Sequence, residues 1–84
     1  MAAMASNIKK KIYIPLLDEG VPVLRPTLGI DLGGNIFEVL PTDGYDPEDE
    51  EWEFSPGTIV ECVLEIRDGE QVLVAKKKIA NSKN

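Results

Sequence analysis

At 84 residues, with 15 acidic and 9 basic side chains, the chain is one small acidic domain. Its net charge of −6 speaks against general nucleic-acid binding, which requires clustered positive charge. The absence of histidine removes the usual general base at neutral pH, and with one cysteine no disulfide can form within the chain.

Residues 1–7, MAAMASN, are small and polar and are expected to form a disordered leader. The domain is expected over 8–80, with 81–84 as a tail. No secretory apolar stretch precedes it, and a lone thiol suits a reducing cytoplasm. No apolar run approaches the roughly 20 residues of a membrane helix, so no membrane partner is expected.

Six prolines and seven glycines break the chain too often for a helical 3.6-residue pattern, leaving short apolar segments of strand type. The first strand is predicted from Lys10 to Leu17, with Ile12, Ile14 and Leu16 on one face. Pro15 cannot donate to a ladder, which argues for an edge position or an outward-turned donor site. Asp18-Glu19-Gly20 reads as a tight turn with Gly20 at positive φ. The second strand, Val21 to Leu28, carries Pro22 and Pro26 on one face and should be an edge or bent strand. Asp31 to Asn35 is a turn and Ile36 to Leu40 a third strand, stopped by Pro41.

An acidic connection follows. Asp43 to Glu53, DGYDPEDEEWE, holds seven of the fifteen acids and no base, so it supplies the whole net charge. It ends in Phe54-Ser55-Pro56-Gly57, a type II turn signal that introduces a strand. From Thr58 to Lys78 the chain reads as a hairpin about a type I′ turn at Asp68-Gly69. That turn sets Leu64 against Leu73 and Cys62 against Ala75 on one side. Val63 meets Val74 on the other, with Arg67–Glu70 and Glu61–Lys76 as charge pairs. The pattern fits an all-β, small SH3-like, partly open antiparallel barrel of about five strands. The basic runs Lys9 to Lys11 and Lys76 to Lys78 would make one basic face if the terminal strands were neighbours.

No catalytic set assembles from these residues. Ser-His-Asp and Cys-His arrangements lack their histidine, Cys62 reads as a small core residue in mid-strand, and Ser55 as a turn residue. Gly29, Gly33 and Gly34 do not form a phosphate loop. The acids do not follow calcium-loop spacing, and Pro47 stiffens their middle, so neither metal nor other cofactor is expected. Trp52 and Phe54 alternate with Glu51, Glu53 and Ser55. The two rings therefore either roof the barrel core or form an acid-rimmed aromatic surface. In the second case Tyr45, Asp46, Glu48, Asp49, Trp52 and Phe54 would bind a basic or proline-containing segment of a protein or peptide partner.

Two stretches carry a resemblance. KIYIPLLDEGVPVLRP, residues 11 to 26, and YDPEDEEWEFSPGTIVEC, residues 45 to 62, are similar to a family of small bacterial proteins without assigned function. Its members share IYxPLLDEG…RP and YDPEDExWEFxPGxxV patterns. Here Ile14 stands for a usual valine and Leu24 for an aromatic residue. The resemblance implies a compact β-barrel and assigns no activity. The expectation is a cytoplasmic, non-enzymatic binding or accessory module, monomeric or homodimeric. The contrasting readings are a subunit completing an enzyme site with a partner chain, and a structural homodimer joined by the proline-bearing edge strands.

Overall fold

The computed structural model describes residues 8–81; the expected leader and residues 82–84 lie outside them. Five strands, β1 (Lys9–Pro15), β2 (Leu24–Gly33), β3 (Ile36–Val39), β4 (Thr58–Arg67) and β5 (Glu70–Asn81), form a closed barrel in chain order. The molecule is an all-β, SH3-like small barrel. Neighbours in sequence pair antiparallel, while β1 meets β5 in parallel through Tyr13 and Val74. That contact closes the gap expected of a partly open barrel. Asn81 belongs to β5, opposite Thr58, and not to a tail.

Two-residue alternation builds the interior. Ile12 and Ile14 of β1, Phe37 and Val39 of β3, Val60 and Cys62 of β4 and Ala75 of β5 line it, while Val74, on the other side of β5, is buried level with Tyr13 at the β1–β5 contact. On β2 the inward positions are Thr27 and Gly29. A Cβ on Gly29 would stand 2.7 Å from Ile12 Cδ1 and 3.1 Å from Phe37 Cβ. A side chain there would therefore force the Ile12 side chain to shift and crowd Phe37. Thr27 satisfies its buried hydroxyl by donating to the Leu40 carbonyl at 2.6 Å.

The expected hairpin forms with both turn residues at positive φ, Asp68 at 50° and Gly69 at 79°. Leu64–Leu73, Cys62–Ala75, Val63–Val74 and Arg67–Glu70 pair as the turn dictates. A register shift between Glu61 and Cys62 then sets Glu61 against Lys77, and Lys76 bonds Glu65 at 2.6 Å instead. Leu64 does not share the burial of Cys62, although it lies on the same side of the strand. β3 pairs with β4 only as far as Glu61, so Leu64 has already run past the barrel wall.

Other boundaries also move. β2 begins at Leu24, because the run through Pro22 makes no ladder, and extends through Asp31 to Gly33. Asp31 accepts the Gly33 amide at 2.8 Å within a bulge, and the reversal shrinks to Gly34-Asn35, both at positive φ. β3 stops at Val39. The turn after β1 places its positive φ on Asp18, at 60°, and not on Gly20. β2 lies between β1 and β3 and is no edge. Pro26 is accommodated because β3 pairs only with Gly29 to Gly33. The two basic runs do not meet: with Tyr13 level with Val74, Lys9 to Lys11 and Lys76 to Lys78 lie on opposite sides of that level.

Candidate functional site

Residues 40–57 form a strap across one end of the barrel. Leu17 donates its amide to the Glu51 carbonyl at 2.7 Å, and Glu53 donates to the Pro15 carbonyl at 2.9 Å. An antiparallel bridge between Leu16 and Trp52 lies between those bonds. The bridge imposes strand alternation on the strap, so Trp52 and Phe54 turn inward and Glu51, Glu53 and Ser55 face solvent. Trp52 is 5% exposed, Phe54 is 7% exposed, and both belong to the core.

The six site residues named from the sequence therefore separate. Trp52 and Phe54 roof the core and present no ring to a ligand. Tyr45 is half-buried and packs edge-on against Trp52, with centroids 4.8 Å apart. Asp46, Glu48 and Asp49 are exposed. Asp46 begins a turn through Pro47: its carboxylate accepts the Glu48 amide at 2.9 Å and its carbonyl the Asp49 amide at 3.0 Å. Gly44, at φ 73°, completes the preceding turn, in which Tyr45 donates to the Thr42 carbonyl.

Beneath these turns lies an ion pair that spacing alone did not reveal. Arg25 of β2 reaches Glu50 with both Nε and a terminal nitrogen, and the same Glu50 carboxylate accepts the Trp52 indole N–H at 3.1 Å. The hydrogen bonds from Arg25, then from Trp52, hold Glu50 below the usual carboxylate range, and Glu50 raises Arg25. Arg25 thereby neutralises one acid of the cluster and fixes the roof indole. Among the described residues, no ion pair involves Asp43, Asp46, Glu48 or Asp49.

Two adjoining hollows open beside the strap. One, of about 340 Å³, is lined by Tyr45, Asp43, Asp46 and Asp49 above the Arg25–Glu50 pair. The other, of about 380 Å³, is lined by Pro26, Leu28 and Pro41, with Lys11 at its rim. They share Pro26, Thr42 and Asp43, which makes one trough with an acidic half and an apolar half. Glu48 does not line it. Pro26, Leu28 and Pro41 were missed as site residues, and Asp43 was named only as part of the acidic connection, because it is the bond from the Leu40 amide to the Leu28 carbonyl, between strap and β2, that brings them together. Proline at 26 and 41 was the available signal, read as a strand breaker.

Among the described residues no three carboxylate or thiol groups converge as metal ligands would. Burial pushes the Cys62 thiol up to about 11, which keeps it protonated and unreactive at neutral pH. No described helix is long and apolar enough to cross a membrane. Comparison with protein-family models, curated proteins and solved structures gives no match to this chain.

Proposed function

We propose that this protein is a non-enzymatic binding module whose trough holds an extended, basic, proline-containing segment of a partner protein. The observation that carries the reading is the meeting of three carboxylates outside any described ion pair, Asp43, Asp46 and Asp49, with an apolar floor of Pro26, Leu28 and Pro41. An extended proline-bearing peptide loses little entropy on docking and buries its rings on such a floor. A lysine or arginine next to it would reach the carboxylates through charge-assisted hydrogen bonds. Tyr45 adds an aromatic wall on the acidic side. Cytoplasmic location and kinship with the small bacterial family of the two sequence patterns belong to the same proposal.

The test is a titration with extended proline-rich peptides, with and without a flanking arginine, monitored by NMR shifts of residues 41–50. Binding is expected to need the arginine and to weaken steeply with salt. The triple variant D43N/D46N/D49N keeps an oxygen at position 46 for the Glu48 amide. It should fold normally and lose at least about tenfold in affinity, since each 1.4 kcal/mol is a factor of ten. Equal affinity in that variant, or no binding of any such peptide at millimolar concentration, would overturn the assignment.

A further inference from the structure

The far end of the hairpin presents a surface unrelated to the trough. β3 pairs with β4 only through Glu61, and the last bond on that side runs from the Cys62 amide to the Asn35 carbonyl at 2.9 Å. From Cys62 to Arg67 the β4–β5 register is regular. The alternation of an antiparallel ladder therefore points the amide and carbonyl groups of Leu64 and Ile66 the same way as those of Cys62. Among the described residues no strand lies beside them. Their side chains are open as well, Leu64 at 52% and Ile66 at 65% exposed. Proline marks β1 and β2, whereas β4 carries none, and its free segment has apolar residues where edge protection would call for lysine or proline.

We propose that this free edge of β4 pairs antiparallel with the same edge of a second copy of the chain, in a two-fold register centred on Ile66. Of the three available centres, Glu65 would set two glutamates face to face. Leu64 would set Ile66 against Cys62, whose amide is already taken by Asn35. Centring on Ile66 lets the two Ile66 residues exchange both backbone bonds and brings each Glu65, which already bonds Arg67 and Lys76 of its own chain, opposite the other copy's Arg67, extending that ion pair into a network across the two copies. Opposite charges directly across a ladder are favourable, like charges unfavourable. Leu64 and Ile66 share the Cys62 side of β4, so the apolar strip continues from one barrel's interior face to the other's. A contact of this length falls below the roughly 1,200 Å² of standard stable interfaces, so the association is weak and reversible.

Sedimentation velocity and amide exchange across micromolar to millimolar concentrations test it. The Leu64 and Ile66 amides are expected to gain protection as a dimer populates. Ile66→Lys, at an exposed position, should keep the fold and weaken association about tenfold, as loss of a central contact does. Arg67→Glu should weaken it too, and the E65R/R67E double variant should recover it. A monomer with unprotected Leu64 and Ile66 amides at millimolar concentration would refute the proposal. So would a dimer indifferent to Ile66→Lys.

Discussion

Where the strap crosses the turn after β1, Glu51 faces Asp18. The hydrogen bond with Asp18, then the repulsion between the two charges, raises Glu51 above its ordinary value, because one shared proton is cheaper than two adjacent negative charges. The folded state therefore holds this proton more tightly than the unfolded chain. The resulting stabilisation is complete below the unfolded value, about 4.3 for glutamate, and disappears as the pH rises through the raised value. Asp18→Asn should accordingly raise the melting temperature at pH 7, with the advantage vanishing in acid. Asparagine also tolerates the positive φ of that position. Thermal unfolding of both proteins between pH 3 and pH 8 tests this, and a difference that does not change with pH would contradict it. The pair was invisible in the sequence, since Asp18 and Glu51 meet only through the Leu17–Glu51 backbone bond.

At the scale of elements, the strap is a structural member whose surface side carries the candidate site. Trp52→Ala would remove the roof over Ile14 and Phe37 and strand the Glu50 carboxylate without its indole donor. Such aromatic truncations cost about 3–5 kcal/mol, comparable with the roughly 3–5 kcal/mol that a core of this size supplies. The variant should be largely unfolded by circular dichroism in the absence of denaturant, whereas Trp52→Phe should retain a cooperative transition. A folded, stable Trp52→Ala protein would show that the roof is dispensable. Local chemistry made the hairpin legible: Asp68-Gly69 and the register it imposes left few alternatives as far as Cys62. The alternation of Trp52 and Phe54 was legible too, and it favoured a core roof while leaving an aromatic surface open. Only the Leu16–Trp52 bridge, joining residues far apart in the chain, decides between them.

Across the whole molecule, closure depends on unequal seams. β4 and β5 share ten register pairs, β1 and β2 seven, while β1 and β5 meet at one. Local opening follows the weakest ladder. Native-state hydrogen exchange should therefore show the protected amides of β4 and β5 persisting longest, with exchange beginning along the β1–β5 seam; the reverse order would mean that side-chain packing outweighs the ladders. The class of fold could be read from breakers and two-residue periodicity alone. Closure could not, because it depends on a parallel contact between the two ends of the chain, 61 residues apart. The trough escaped for the same reason, being assembled from β2 and the strap on either side of β3.

The seating of the one tryptophan has a practical consequence. Its indole is held by Glu50 from one direction and touched by the edge of Tyr45 from another, and Tyr45 is itself a wall of the trough. The protein thus carries an intrinsic fluorophore one ring away from the proposed ligand. Occupancy of the trough can be followed as a change in emission intensity, without attaching a dye and without disturbing any residue that makes the contact.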